Sequence, residues 1–212
     1  MIHPPHVPTL SILIPSIPKR KNLLLPLLRN LYQQAFNAQA NYPGIGFAEI
    51  LVDDSAGYLD GGLSIGKKRE ALVRRAQGRY CCFLDDDDRP SPDYVEMLLR
   101  LCGKNVHVVT FRALVMEQSY WGLVNMSLAN KINEQLTPEG IVQRPPWHMC
   151  PVWTEFARLY PFADKNNAED YEWMAKVLGH CQTEAHTDRM LFLYQHGAGS
   201  EADLITRLEA GL

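Results

Sequence analysis

The chain has 212 residues, 46% hydrophobic and 21% charged, which is enough to bury the core of a single globular domain. A formal net charge of -3 argues against a wholesale polyelectrolyte partner, although Lys67, Lys68, Arg69, Arg74 and Arg75 form one basic segment that a phosphate-bearing ligand can use. Five cysteines, an odd number without a C-x-x-C pair, predict neither a disulfide framework nor a zinc site, and a reducing, cytoplasmic setting is expected.

In chain order, the amino terminus carries a short apolar run broken by Pro15 and Pro18, and reads as neither a signal peptide nor a membrane span. "TLSILIP" predicts a first strand, and a leucine-rich helix is expected from about Asn22 to about Gln34. "AEILVDD" is a second strand ending in acid. After the glycine-rich turn "SAGYLDGGL", Ser64 is expected to cap a helix with Ile65, Leu72 and Ala76 on one side, and Gly78 to stop it. "RYCCFLD" is the third strand; Ser91 and Pro92 then suit a helix start, with Val95, Leu98, Leu99 and Cys102 at spacings of three and four. "VHVVTF" is a fourth strand. From Ala113 to Pro146 the pattern weakens, and a hairpin, an irregular excursion or a flap all fit. "VWTEFARLY" reads as a short helix and "NAEDYEWMAKVLGH" as a longer one capped by Asn167. "RMLFLYQ" is a late strand, and a final helix is expected from Ser200. Strands alternating with helices predict an α/β fold with a mostly parallel central sheet flanked by helices.

Asp53 closes the second strand and Asp85 to Asp88 follow the third, on the sheet edge where open α/β folds bind ligands. Four adjacent carboxylates repel one another. Either they form an acidic turn before the next helix, or a divalent cation offsets the repulsion. If the strand stays extended past Leu84, Asp85 and Asp87 share one face and can converge on a cation, and oxygen ligands alone favour Mg2+ or Mn2+. Asp170 admits two readings as well: a first-turn acid welcomed by the helix dipole, or a carboxylate offered to a cleft as a general base.

"SILIPSIPKR", "ILVDDSAG" and "GKKREALVRRAQGRYCCFLDDDD", followed in order by "FADKNNAEDYEWMAKVL" and "FLYQHGAGS", resemble glycosyltransferase family 2 over most of residues 9 to 200. The resemblance implies a GT-A fold. A nucleotide-sugar-binding half, about 9–112, would continue into an acceptor-binding half, about 113–200, with 201–212 as a tail. It implies metal-dependent, inverting transfer of a sugar from a nucleoside-diphosphate sugar, a UDP-sugar for choice, to an acceptor hydroxyl. Pro15, Asp53, Lys68, Asp85 and Asp86 would bind the donor nucleotide, and Asp87 and His196 the metal, with Asp88 in support. Asp170 would be the base. Trp147, His148 and Glu169 would contact acceptor or sugar, with Trp153 as a further stacking surface, while Lys67, Lys68 and Arg69 would reach phosphate or form a solvated helix face. The family's glycine-rich loop before the Glu-Asp motif is replaced here by "YPFADKNNAED". The acceptor is open among saccharide, protein, lipid-linked glycan and modified nucleic acid base. A sugar-phosphate nucleotidyltransferase and a non-catalytic nucleotide-sugar-binding module are the rival readings.

Overall fold

β1 (Leu10–Pro15) is buried along its whole length, as its unbroken apolar run requires of a strand with helices on both faces. The computed structural model describes residues 7–117, 120–130 and 135–196, with the backbone alone for 116, 117, 120, 121, 135, 195 and 196. A 3-10 turn (Pro18–Arg20) leads into α1 (Lys21–Asn41), which runs past the expected end because Leu24, Leu27, Leu31, Gln34 and Ala38 continue one buried stripe. β2 (Ala48–Asp53) pairs parallel with β1, setting Pro15 opposite Asp53. α2 (Ile65–Arg75) follows, and β3 (Tyr80–Phe83) pairs parallel with the other edge of β1. β4 (Arg89–Pro90) is a two-residue strand, and α3 (Tyr94–Cys102) follows it.

The weakly patterned stretch is an extended hairpin. β5 (Val108–Glu117) pairs antiparallel with β6 (Tyr120–Met126), crossing position 112 without a break. β7 (Gln135–Leu136) and β8 (Ile141–Arg144) extend that side, and β9 (Val152–Trp153) fills the gap between β3 and β5. The short α4 (Thr154–Ala157) and α5 (Glu169–Leu178) come next. β10 (Glu184–His196) then pairs parallel with β5 and antiparallel with β4. The order β2-β1-β3-β9-β5-β6-β8-β7 makes one sheet whose longest pairing, β5 with β10, is parallel; α1 packs on α3, and α2 on α5. Strand order reverses at β1, so a crevice opens between the loops that follow β1 and β3.

Two helix starts differ from expectation. Ser64 does cap α2, accepting from the Lys67 amide at 3.2 Å. α3 instead begins at Tyr94, and the Val95 amide is taken by the buried Gln34 of α1, whose Nε2 also donates to the Ser91 carbonyl at 2.9 Å. α5 has Ala168 in the left-handed region at its N-cap, with no side-chain cap from Asn167. The expected final helix falls outside the described residues.

Candidate active site

The loops at the crevice hold each other. Ser16 Oγ donates to Asp86 Oδ2 at 2.5 Å, while Arg20 Nη2 lies 2.7 Å from Asp86 Oδ1 and 2.5 Å from Asp87 Oδ2. Lys68 Nζ donates to the carbonyls of Ser16 at 2.6 Å and Ser55 at 2.5 Å, and stands 3.9 Å from Asp53 Oδ1. Asp53 accepts from the Ser55 amide and hydroxyl at 3.1 and 2.6 Å, which turns the chain sharply after β2. Burial pushes the Lys68 ammonium down, against the pull of Asp53 and Asp54.

The four aspartates form a turn, and the extended geometry expected of them stops at Phe83. The Asp88 amide donates to the Asp85 carbonyl at 3.0 Å and the Asp85 amide to Asp88 Oδ2 at 2.6 Å, a closure that only a chain reversal permits. The turn buries Asp86 and Asp88 and leaves the side chains of Asp85 and Asp87 30% and 49% exposed. Burial first, then the Asp85 carboxylate, push the Asp88 carboxyl well above its ordinary range; burial also raises Asp86, opposed by Ser16 and Arg20.

Arg69 joins this turn to the start of α5. It is 2% exposed, donates from Nη2 to Asp85 Oδ1 at 2.9 Å, and sets Nε 3.1 Å from Glu169 Oε1, with its guanidinium 4.9 Å from the centroid of the Phe83 ring. Burial pulls its pKa down, but Asp85, Asp170 and Glu169 outweigh that and raise it. A solvated helix face for Lys68 and Arg69 is therefore corrected: both point inward, and Lys67 alone of the three is exposed. Glu169, expected among the acceptor contacts, is 3% exposed and turned onto Arg69.

Asp170 faces the other way. Its Oδ2 lies 2.7 Å from His148 Nδ1 and its Oδ1 accepts from the Tyr171 amide at 2.8 Å. Burial pushes this carboxyl up, yet the His148 hydrogen bond and charge, with Arg69 behind them, hold it well below the usual range. His148 is itself fixed, since its carbonyl accepts from the Phe83 amide at 2.9 Å, two residues before Asp85. Asp170 and His148 line a cavity of about 1000 Å³ between α5 and the β5–β6–β8 side of the sheet, together with Trp147 and Tyr194. Arg144 stacks on Trp147 at 3.3 Å. Trp153 is elsewhere, edge-on to His107 at 4.5 Å, so the stacking role considered for it is corrected to packing. The side chain of His196 lies outside what is described.

The unusual loop before α5 is what sets the helix in place. Ser64 Oγ donates to Asp164 at 2.6 Å, the Ile65 amide to Asn166 Oδ1 at 2.9 Å, and the Gly66 amide to the Lys165 carbonyl at 3.1 Å. A Cβ on Gly66 would stand 2.0 Å from the Ala163 carbonyl oxygen. Gly66→Ala is accordingly expected to cost about 1–3 kcal/mol, and because it shifts α5, thermal denaturation and activity should fall together. Ser16, Arg20 and the bridging geometry of Arg69 are not singled out by sequence; the basic "PKR" after β1 is the signal for Arg20, and the basic segment from Lys67 that for Arg69.

Residues 59–158 match the profile of glycosyl transferase family 2. This stretch resembles that family's domain. The structure is similar to that of S. aureus TarS 1-349, at 14% identity and a TM-score of 0.60 over 88% of this chain and 60% of that one. It is similar also to S. aureus TarS 1-349 in complex with UDP-GlcNAc (12%, TM-score 0.59, 92% and 60%) and with UDP (12%, TM-score 0.60, 89% and 61%). The likeness establishes a GT-A fold; the chain spans about 60% of the length of these TarS chains. No curated protein matches it. Among the described residues, no helix is long and apolar enough to cross a membrane.

Among the described residues, no group of three or more His, Cys, Asp or Glu side chains is arranged to hold a metal ion. The acid turn nevertheless suits a hard cation that takes one or two carboxylates and completes its shell with phosphate oxygens. Asp85 and Asp87 are the two acids of the turn open to solvent, and Arg69 only partly offsets the burial and the neighbouring carboxylates that raise Asp88. Arg20 Nε and Arg69 Nη1 are buried without a hydrogen-bond partner, as expected of a site that an anionic ligand completes.

Proposed function

We propose that the protein is an inverting glycosyltransferase that moves a sugar from a nucleoside-diphosphate sugar to an acceptor hydroxyl, with Asp170 as general base and a divalent cation, Mn2+ or Mg2+, on the diphosphate. The observation that carries this reading is the division of acids about Arg69: an acid turn at the switch point, and Asp170, hydrogen-bonded to His148, facing a cavity that none of the four turn aspartates lines. The donor proposed is a UDP-sugar, supported by the similarity to TarS in complex with UDP-GlcNAc and UDP.

Asp53 and Pro15, at the ends of β2 and β1, would flank the base and ribose, with Lys68 holding the loops around them rather than spending its charge on phosphate. Asp85 and Asp87 would hold the cation, which when bound supplies positive charge to the departing diphosphate. Asp86 shapes the turn through Ser16 and Arg20. On the cavity side, Asp170 Oδ2 would receive the acceptor proton as its oxygen attacks the anomeric carbon. His148 orients that carboxylate and keeps it ionised; Trp147 is a wall for acceptor or sugar.

The test is release of UDP and formation of product from UDP-GlcNAc and other nucleotide sugars, with Mn2+, with Mg2+, and after chelation. Activity restored by either ion and lost in Asp87→Ala is expected. Sugar-1-phosphate plus a nucleoside triphosphate yielding pyrophosphate would instead identify a nucleotidyltransferase, and binding without turnover a non-catalytic module.

His148 also fixes the pH behaviour. A carboxyl depressed on folding contributes stability above its unfolded pKa, about 3.9, and loses it only as pH falls through the lower folded value. In the native protein the acid limb of kcat/KM should therefore not come from Asp170. In His148→Leu the hydrogen bond and charge are gone while burial stays, so that limb is expected to move to higher pH. An unchanged profile would show that His148 does not set the state of Asp170.

A further inference from the structure

The acceptor itself is marked by the cavity beyond Asp170, an inference that rests on the assignment of Asp170 as base. None of the four aspartates of the turn lines this cavity, so it is separate from the proposed donor side. Its walls are mainly aliphatic: Val124, Leu128 and Val142 from the sheet side, Met174 and Leu178 from α5. Asp170, Met174 and Leu178 follow at intervals of four, so the base and two apolar residues lie on one stripe of the helix. That stripe runs about 12 Å at a rise of 1.5 Å per residue.

A site with an aliphatic floor, a reactive carboxylate at one end, and Asn130, Arg144 and Gln182 elsewhere on its wall fits a small amphipathic ligand. A polyanion would need cations along the wall, and among the lining residues only Arg144 is Lys or Arg, with its guanidinium stacked on Trp147. A bare oligosaccharide would need hydrogen-bonding side chains where Val124, Leu128, Val142, Met174 and Leu178 stand. We propose that the acceptor is an alcohol or glycoside with an apolar body: its hydroxyl sits at Asp170 and an alkyl or aryl aglycone of roughly the length of an octyl chain lies along α5 toward Leu178. The acceptor hydroxyl oxygen bonds to the anomeric carbon, the carbon–oxygen bond to the diphosphate breaks, and the hydroxyl proton goes to Asp170.

The test uses the full chain with Mn2+ and UDP-GlcNAc, and methyl, phenyl and octyl glycosides of one sugar as acceptors. KM for the acceptor is expected to fall at least tenfold from the methyl to the octyl compound with little change in kcat. Ala175→Trp, an exposed helix position on the cavity wall, should cancel that gain without disturbing the core. Equal KM values across the series would overturn the proposal. If no acceptor is turned over, the base assignment has failed, and direct binding decides the cavity: Trp fluorescence titrated with 4-nitrophenyl and methyl glycosides. At least tenfold tighter binding of the aryl compound, lost in Ala175→Trp, supports an apolar-aglycone site, and equal binding overturns it.

Discussion

Asp170→Asn is expected to lower sugar transfer by about 10²–10⁴-fold, the range that a positioned general base contributes. The amide keeps the shape of the carboxylate and can still accept from the Tyr171 amide, so the fold and the donor side should be unaffected. Affinity for UDP, measured by calorimetry, should stay within a factor of a few of the native value. That split separates a base from a residue that merely props up the crevice: a structural Asp170 would lose donor affinity and thermal stability along with rate. The neighbouring acid supplies the contrast. Glu169→Gln alters the Arg69 contact and should reduce stability more than it reduces rate in the protein that remains folded.

Arg69→Met is expected to give the largest loss of stability, about 3–5 kcal/mol, because removing one member of a buried ionic cluster strands the others. Glu169 is the partner that suffers most: it is 3% exposed, burial already raises its carboxyl, and Arg69 is the chief charge opposing that rise. Without the guanidinium its folded pKa rises further. A carboxyl raised on folding favours the fold below its unfolded pKa, about 4.3, and opposes it as pH rises through the folded value. The deficit in Tm should therefore be largest at neutral pH and narrow toward pH 5. Arg69→Met with Glu169→Leu should recover part of the loss, whereas Arg69→Lys should not restore it, since one ammonium cannot reproduce a two-sided guanidinium contact. A deficit independent of pH would mean that Arg69 acts by packing on Phe83.

The readable part of this molecule was local. β1, β2 and β3 announced themselves as apolar runs, the latter two running into acid, and the Ser64 cap is a short-range hydrogen bond that the sequence spells out. What escaped depends on partners distant in sequence. Gln34 serves α3 from 61 residues away, His148 meets Asp170 across the β8–α5 stretch, and Arg69 faces inward because Phe83, Asp85 and Glu169 surround it. The acid turn misled for a related reason: alternation along a strand presumes the strand continues, and the Asp85–Asp88 hydrogen bonds end it.

Gln34 has a consequence for how the molecule is built. Its amide nitrogen and oxygen serve the Ser91 carbonyl and the Val95 amide at once, so the Val95 amide at the start of α3 acquires its partner only when α1 is in place. Opening of α1 away from α3 would strand that buried amide, which couples the two helices. The acid turn, which lies on the chain between them, is shaped by an event completed outside the crevice.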